Sequence, residues 1–289
     1  MTLTVSLPRC SYPVHIQSGA LHQAGAYLAP LGIRRWAVIA DETVAALYGG
    51  LVTESLASAG LSGELLSFAA GEAHKTPETW LALCRGLAQR GFGRADGVLA
   101  LGGGVTGDLA GFAAATLLRG VALVQAPTTL LAQVDSAVGG KTGLDLPEGK
   151  NLLGCFYQPR MVLADTGCLA TLPRRQLACG MAEVIKYGCI ADEELLIRLE
   201  QQEPDWPRII RRCLACKAAL VAQELTAEPQ QQEKQHHRQG DSHGCAQCRR
   251  QIFQAHGRGL KQLGQGEILP GLQGAFQLDL HIRQPQLLD

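Results

Sequence analysis

Apolar and polar positions alternate in two different ways along the first two thirds of the chain. Short apolar or β-branched runs are typical of buried strands, and they occur at 35–41, 63–68, 96–104 and 121–127. Longer Ala- and Leu-rich segments predict helices, and they occur at 42–60, 76–91 and 106–118. Strands and helices in this alternation predict an α/β fold, with a parallel sheet covered by helices on both faces.

Two of the predicted helices carry local start or stop signals. The helix at 76–91 has Thr76 as its N-cap, Pro77 at its first position and Gly91 as its terminator. Gly60 closes the helix at 42–60. Local chemistry therefore places these ends without reference to the rest of the fold.

The pattern changes twice toward the C-terminal end. Strand signals fade after about residue 170, and helices are predicted over 173–190, 192–202 and 207–225. From about Glu228 the chain is rich in Gln and has neither a 3.6-residue nor a 2-residue period, which is typical of a loop or a poorly ordered segment. The expected organisation is therefore an α/β domain over 1–168, the start of an all-helical domain over 169–226, and an atypical tail over 227–289.

Composition and charge narrow the class of protein. With 26 basic and 26 acidic residues the chain of 289 residues has a formal net charge of zero, so a nucleic-acid partner is not expected. No segment has the run of about 20 uncharged apolar residues that spans a bilayer, and no targeting segment is evident, so a soluble, cytoplasmic protein is expected. The ten cysteines lie mostly in apolar contexts and predict reduced, buried thiols, among them Cys84, Cys155, Cys179 and Cys189.

A glycine-rich turn joins one predicted strand to the next helix. Gly102, Gly104 and Gly107 match G-x-G-x-x-G at the place where backbone N–H groups and a helix N-terminus bind a pyrophosphate. The alternative is a turn that only allows close packing of helix on strand. The acidic residue that dinucleotide-binding folds carry downstream is missing from 121–127, whereas Asp41 ends an upstream strand.

Polar residues gather in three further segments. Segments 127–143 and 149–154 bring hydroxyls, a carboxylate, an amide and the glycine-flanked Lys141 and Lys150 close together in sequence, a context that suits an anionic ligand. Arg119 either complements a helix C-terminus or binds an anion, and both interpretations stay open. Glu183 and Lys186 share one helix face. They form either an ordinary surface ion pair or a partly buried site, in which the carboxylate needs a cation or a metal.

Taken together, these segments resemble the 3-dehydroquinate synthases, a family of sugar phosphate cyclases. The resemblance rests on LGGGVTGDLAGFAAATLLRG, APTTLLAQVDSAVGGKTGLDLPEGKNLLGCFYQP and GMAEVIKYG, and it extends from the N-terminus to about Ala222. It implies a Rossmann-like NAD domain, a helical domain across a cleft, and usually a homodimer. It also implies a lyase reaction of the shikimate pathway, which converts 3-deoxy-D-arabino-heptulosonate 7-phosphate to 3-dehydroquinate and phosphate. The implied cofactors are NAD and a divalent metal, zinc or cobalt.

The resemblance assigns roles to matching positions. The implied cofactor contacts are Asp41, Glu72, Lys75, Gly103, Gly104, Val105, Asp108, Thr128, Thr129, Lys141, Lys150 and Thr171. The implied catalytic or substrate contacts are Arg119, Asp135, Lys141, Asn151 and Lys186, and in the family the arginine can come from the other subunit. Glu183 matches the first metal ligand.

The resemblance stops where the family places its other two metal ligands, in the histidine motifs GHTFGHA and HGEAV. Those motifs are absent, and four of the tail histidines were considered as replacements but match neither motif: His236, His237, His243 and His256. Three explanations stay open: a foreign or misread end, a divergent end that supplies histidines in a new geometry, and a structural zinc site. That zinc site would join Cys213 and Cys216 to Cys245 and Cys248, with His243 as an alternate ligand. The rival functions are another sugar phosphate cyclase, a polyol dehydrogenase and a catalytically inactive NAD-binding module.

Overall fold

The four predicted strands lie side by side at one end of a mostly parallel sheet. A computed structural model describes residues 1–8, 10–199 and 205–235. Its strands are β1 Thr2–Leu7, β2 Cys10–Gln17, β3 Arg35–Asp41, β4 Ser62–Phe68, β5 Gly97–Gly102, β6 Ala122–Pro127, β7 Lys141–Leu146, β8 Gly149–Phe156 and β9 Met161–Asp165. Among these residues seven strands form one sheet in the order β1-β2-β9-β6-β5-β3-β4, in which only β1 and β2 pair antiparallel.

The helices surround this sheet and then continue beyond it. They are α1 Ala24–Leu28, α2 Glu42–Val44, α3 Gly50–Ser58, α4 Pro77–Gln89, α5 Gly104–Thr116, α6 Arg174–Ile190, α7 Glu193–Leu199 and α8 Trp206–Gln235. A π-helical segment, Ala45–Gly49, joins α2 to α3, and a second one covers Ala132–Ser136. Shorter 3₁₀ turns cover Ala20–Gln23, Ala29–Leu31, Glu72–His74, Leu117–Arg119 and Thr166–Thr171.

Helices cover both faces of the sheet, as the strand–helix alternation predicted. Along β3, Val38 and Ala40 pack with Val52 and Leu56 of α3, whereas the intervening Ile39 packs on the opposite face with α4 and α5. Successive side chains of a strand point to opposite faces, so a strand buried on both sides must be apolar throughout. This requirement explains why β3 and β5 appear in the sequence as uninterrupted apolar runs.

The local end signals are confirmed. Thr76 is the N-cap of α4, where its Oγ1 accepts a hydrogen bond from the Thr79 N–H at 3.3 Å, and Pro77 is the first helical residue. Gly60 and Gly91 follow their helices at φ of 72° and 70°. A left-handed residue after a helix favours glycine, which has no Cβ to clash.

The C-terminal helices pack on the β1–β2 end of the sheet. One apolar cluster joins Val5 and Tyr12 of these strands to Val134 of the second π-helical segment, Tyr187 of α6 and Ile210 of α8. Helix α8 continues to Gln235, ten residues past its predicted end at 225. Most residues of this extension are Gln, Glu, Lys or Ala, which favour helices, so loss of the apolar period did not end the helix even though Pro229 lies within it.

The structure contains one element that the sequence did not indicate, it contradicts the expected burial of three cysteines, and the predicted tail lies outside the described residues. Residues 141–156 form an antiparallel hairpin, β7–β8, in a segment where the sequence had shown only polar motifs. Cys155 on β8 and Cys179 and Cys189 on α6 are exposed thiols rather than buried ones, because each lies on an outward face of its element. The tail at 236–289, with its five histidines and with Cys245 and Cys248, lies outside the described residues.

None of the described helices combines the length and the apolar character that crossing a membrane requires.

Candidate active site

The glycine turn, residues 102–105, lies at the carboxyl end of β5 where α5 begins. Gly103 is the N-cap of α5 and has no side-chain cap. The first intrahelical hydrogen bond runs from the Gly107 N–H to the Gly103 carbonyl at 3.0 Å, so the N–H groups of Gly104 and Val105 precede it and have no partner within the helix. Such N–H groups, together with the dipole of a 13-residue helix, can bind an anion.

Different glycines of this motif are required for different reasons. A Cβ on Gly102 would lie 2.4 Å from Thr106 Oγ1, and one on Gly107 would lie 3.0 Å from Gln125 Oε1. These two positions are therefore explained by packing within the protein. A Cβ on Gly104 would meet only Ser136 Oγ, at 3.4 Å, which is an ordinary contact. Packing does not require glycine at position 104.

Polar residues surround the glycine turn on neighbouring strand ends. The Thr128 N–H donates to the Gly102 carbonyl at 2.9 Å, and Thr129 Oγ1 accepts from the Ala132 N–H at 3.2 Å. Asp41, at the end of β3, caps α2 through the Val44 N–H at 3.0 Å. The carboxyl edge of a parallel sheet is where such folds bind ligands, and the structure brings these residues to that edge.

Thr171 is linked to a residue that the sequence did not single out. The Thr171 hydroxyl donates its only proton to the Cys168 carbonyl, at 3.0 Å. In the 2.5 Å contact between the Tyr48 and Thr171 hydroxyls, Tyr48 is therefore the donor. Burial raises the pKa of Tyr48. Tyr48 lies in the first π-helical segment, a feature that often marks functional sites.

A second group, here called the lysine cluster, consists of Lys75, Asp108 and Asn151. Lys75 Nζ lies 2.5 Å from Asp108 Oδ2 on α5 and 2.5 Å from Asn151 Oδ1 on β8, and Lys75 is only 4% exposed. Burial raises the pKa of Asp108, and the bond to Lys75 offsets only part of this effect. The cluster ties the glycine-turn helix to the hairpin, although its members are distant in sequence.

Lys150 and Glu72 form a more exposed pair beside the lysine cluster. Their side chains meet at 3.1 Å and are 71% and 49% exposed. A cavity of about 430 Å³ opens between the Glu72–His74 turn, the start of α4 and the tip of the hairpin, and Lys75 and Asp145 contribute to its lining. The lining does not include the glycine turn, so the cavity borders the lysine cluster and not the N-terminal end of α5.

A third group, here called the aspartate cluster, consists of Asp135, Tyr187 and Lys217. Asp135 Oδ1 accepts hydrogen bonds from Tyr187 Oη at 2.6 Å and from Lys217 Nζ at 2.7 Å. Burial alone would raise the pKa of Asp135, but these two hydrogen bonds and the charge of Lys217 outweigh it, and the pKa is lowered. Burial, and then the bond to Asp135, raises the pKa of Tyr187. Sequence analysis missed Lys217, whose only signal was its place in the helix that follows the matched motifs.

The lowered pKa of Asp135 predicts a pH-dependent contribution to stability. Its stabilisation should be fully present above the ordinary aspartate pKa of about 3.9 and lost as the pH falls through the lower folded-state pKa. Asp135→Asn should therefore cost about 2 kcal/mol at pH 7 and progressively less below pH 4. Urea unfolding of both proteins between pH 7 and pH 3 measures the difference. A cost that does not change with pH would contradict this role.

Lys141 and Arg119 are exposed cations. Within the described residues neither side chain makes a hydrogen bond or an ion pair. Lys141 begins β7 directly after Gly139 and Gly140, which adopt φ of 103° and 71°. Tyr12 Oη accepts from the Gly139 N–H at 3.4 Å, and Gln158 Nε2 donates to its carbonyl at 3.1 Å. The backbone that presents Lys141 is therefore fixed, and its ammonium group is left available.

The metal site expected at Glu183 is incomplete in the part of the chain that the structure describes. Glu183 pairs with Lys186, as the i,i+3 spacing predicted, and its side chain is 19% exposed. No group of three His, Cys, Asp or Glu side chains able to hold a metal occurs among the described residues. A catalytic zinc normally has three protein ligands, so these residues alone do not fit one. Of the proposed cysteine site, only Cys213 and Cys216 are described, and burial raises the pKa of Cys213 to about 12.

Two family models match consecutive parts of the chain. The model described as 3-dehydroquinate synthase N-terminal matches residues 65–179, and the one described as 3-dehydroquinate synthase C-terminal matches residues 180–237. The second match extends past Ala222, where the resemblance of the motifs had ended. Residues 1–64 and 238–289 lie outside both matches.

Curated relatives show the same relationship at the level of sequence identity. The 3-dehydroquinate synthase of Neisseria meningitidis serogroup C (strain FAM18) is 49% identical over 235 residues, which are 78% of this chain and 66% of that protein. The 3-dehydroquinate synthase of Geobacter metallireducens is 48% identical over 229 residues, covering 76% of this chain and 64% of that protein. The chain thus spans slightly less than two thirds of the length of these relatives.

Solved structures agree with the fold. A 2-deoxy-scyllo-inosose synthase in complex with carbaglucose-6-phosphate, NAD⁺ and Co²⁺ matches with a TM-score of 0.71 and 28% identity over 78% of this chain and 65% of the other. A 2-epi-5-epi-valiolone synthase from Streptomyces hygroscopicus, with NAD⁺ and Zn²⁺ bound, matches with a TM-score of 0.63 and 32% identity over 81% and 65%. The fold is thus the Rossmann-like α/β fold of the sugar phosphate cyclases, followed by helices. Together with the family models, these relatives show that the chain belongs to the 3-dehydroquinate synthase family.

Proposed function

We propose that this protein is a 3-dehydroquinate synthase. It would convert 3-deoxy-D-arabino-heptulosonate 7-phosphate to 3-dehydroquinate and phosphate, as a phosphate-eliminating carbon–oxygen lyase of the shikimate pathway. The observation that carries the proposal is the 49% identity to a curated enzyme of this name over 78% of the chain. The lysine cluster supports it, because its Asp108 belongs to α5, the helix that begins at the glycine turn.

NAD fits the glycine turn. The N–H groups of Gly104 and Val105 would hold its pyrophosphate, with Gly103 and Asp108 of the same turn and helix beside it. Further contacts are proposed for residues at the strand ends and in the hairpin: Asp41, Glu72, Lys75, Thr128, Thr129, Lys141, Lys150 and Thr171. When bound, NAD supplies reversible hydride transfer at one substrate alcohol.

The chain's own charged residues would bind and orient the sugar acid phosphate. Lys141 and Arg119, which have no partner in the part of the chain that the structure describes, are cations that suit its phosphate and carboxylate. Such cations also stabilise the negative charge that develops on the phosphate oxygen as the carbon–oxygen bond breaks. Asp135 stays ionised at neutral pH and can accept a hydrogen bond from a substrate hydroxyl, with Lys186 and Asn151 as further contacts.

The metal is a separate question for this chain. The two solved cyclases hold Co²⁺ or Zn²⁺. We propose Glu183 as one ligand, but the described residues do not complete a site, so no step of the reaction is derived through a metal. This observation favours a second candidate, a catalytically inactive NAD-binding module.

One pair of measurements on the full chain separates the two candidates. Calorimetric titration with NAD tests the glycine turn, and release of inorganic phosphate from the heptulosonate phosphate, with NAD and Zn²⁺ or Co²⁺ present, tests the lyase. NAD binding with phosphate release supports the synthase. Binding without release supports the binding module, and absence of NAD binding rejects both.

We also propose a homodimer that forms through β8. Among the described residues, strand β8 pairs only with β7, in a two-stranded sheet, and its apolar Leu152, Leu153 and Phe156 are 60%, 41% and 63% exposed. A strand with a free edge and exposed apolar side chains is a template for a second strand. In a dimer with a two-fold axis, the β8 strand of the second copy would cover the free edge of the first and its exposed apolar side chains.

The dimer predicts a specific change in molecular mass. Leu152→Glu combined with Phe156→Glu should convert the dimer to a monomer, because four buried carboxylates would be unpaired. Light scattering after size-exclusion chromatography measures this. Ile197→Glu on α7, where the side chain is equally exposed at 60%, is the matched control and should leave the dimer intact. A monomeric parent protein, or a dimeric double variant, would contradict the interface.

We place the protein in the cytoplasm, which the free thiols of all eight described cysteines support. We keep the boundary between the NAD domain and the helical domain near residue 168, where β9 and its following turn give way to α6.

A further inference from the structure

The tip of the β7–β8 hairpin contains an irregularity centred on Asn151. Leu144 pairs with Leu153 and Leu146 with Gly149, so three residues of β8 face the single residue Asp145 of β7. Asn151 adopts φ of 56°, in the left-handed region that few residues other than glycine occupy. Bulges of this kind redirect a side chain, and they are common beside active sites.

A closed set of three hydrogen bonds holds this bulge. Asp145 Oδ1 accepts from the Asn151 N–H at 2.7 Å, and the Asp145 N–H donates to the Lys75 carbonyl at 2.8 Å. Lys75 Nζ donates to Asn151 Oδ1 at 2.5 Å, which closes the circuit. Asp145 therefore supports the left-handed backbone of Asn151 and also anchors the hairpin tip to the chain segment that carries Lys75.

These three hydrogen bonds fix which half of the Asn151 side-chain amide faces a ligand. A lysine ammonium group has only donors, so it must bond to the amide oxygen and not to the nitrogen. Within the described residues Nδ2 makes no hydrogen bond, and Asn151 is exposed. The outward group is therefore a pair of N–H donors, which recognises an oxygen acceptor.

We propose that Asp145 is a positioning residue that, with Lys75, presents the Asn151 amide as a hydrogen-bond donor to an oxygen of the sugar acid phosphate. The identity of this ligand rests on the proposed function. The part played by Asp145 rests only on the geometry of the hairpin.

The test compares Asp145→Ala and Asp145→Asn with Glu148→Ala, which removes an exposed carboxylate from the same hairpin tip. Hydrogen exchange of the Asn151 amide is measured in the full chain without ligand. Asp145→Ala should accelerate this exchange at least tenfold, whereas Asp145→Asn keeps an acceptor oxygen and should stay within about threefold of the parent, as should Glu148→Ala. Unchanged exchange in Asp145→Ala overturns the positioning role.

Affinity for the heptulosonate phosphate in the presence of saturating NAD, measured by calorimetry, tests the consequence for the site. Asp145→Ala should bind this ligand about tenfold more weakly, with NAD affinity unchanged and with recovery in Asp145→Asn. Faster amide exchange without weaker ligand binding overturns the proposal, because the position of Asn151 would then not matter. If the parent protein binds neither NAD nor the phosphate, the proposed function and the ligand assigned to Asn151 fail together, and the exchange experiment still decides whether Asp145 holds the bulge.

Discussion

Replacing Lys75 with Met should destabilise the protein by about 3 kcal/mol, the largest effect expected of any charged residue in the site. Lys75 is nearly buried, and its ammonium group is shared by Asp108 and Asn151. Its removal leaves the Asp108 carboxylate, whose side chain is 21% exposed, without its cation. Urea unfolding at pH 7 measures the loss.

The loss of stability in Lys75→Met should also depend on pH. Burial already raises the pKa of Asp108, and without Lys75 the pKa should rise further. Asp108 of the folded variant then takes up a proton more readily than in the unfolded chain. The loss in free energy of unfolding relative to the parent protein should therefore shrink as the pH falls from 7 toward 5. A deficit that is constant over this range would show that Asp108 does not cause it.

Lys150→Met is the matched control for Lys75→Met. Lys150 also pairs with a carboxylate, but both partners are largely exposed, so the cost should stay below about 0.5 kcal/mol. In the double variant Lys75→Met with Asp108→Asn, much of the lost stability should return, because no unpaired charge remains. Equal costs for the two lysine variants would mean that burial does not distinguish the pairs.

Gly104→Asp should weaken NAD binding at least a hundredfold while the protein stays folded. The new carboxylate would occupy the first turn of α5, where it repels the cofactor's pyrophosphate and competes for the same N–H groups. The same carboxylate is favourable for the helix, since negative charge near a helix N-terminus stabilises it by about 0.5 kcal/mol. A Cβ at this position meets only Ser136 Oγ at 3.4 Å, so the substitution should fit. Calorimetric titration and thermal unfolding together measure both effects.

Gly104→Asn separates charge from size in this experiment. Asparagine has almost the same shape as aspartate, so it blocks the turn to the same extent but carries no charge. We expect it to weaken NAD binding clearly less than Gly104→Asp does. Normal NAD affinity in Gly104→Asp would mean that the pyrophosphate does not lie at this helix end, and equal losses in both variants would assign the effect to bulk alone.

Sequence motifs located most of the candidate site but not its internal pairing. The glycine turn, the threonine pair after β6 and the hairpin lysines were found because each is a local signal within a few residues. Lys75 was matched as a cofactor contact, but its simultaneous bonds to Asp108 and Asn151 were not foreseen. The second partner lies 76 residues away, and nothing in a local pattern indicates such a contact.

The same limit applies to the residues that sequence analysis missed. Lys217 reaches Asp135 across 82 residues, and Tyr48 reaches Thr171 across 123 residues. In the sequence each looks like an ordinary residue of a helical segment. Asp145 was visible inside a matched motif, but its function depends on a bulge that forms only when β7 and β8 pair.

Local chemistry alone determined the four predicted strands, the helices that alternate with them, the caps at Thr76, Gly60 and Gly91, and the glycine turn. These features depend on periodicity and on single-residue backbone preferences, which act over one or two turns of chain. Only the tertiary structure decided that Lys75 is buried, that Asn151 turns its amide nitrogen outward, and that the apolar β8 lies exposed. Each of these outcomes depends on which distant segment packs beside the residue, because burial and pairing are properties of the assembled neighbourhood and not of the local sequence.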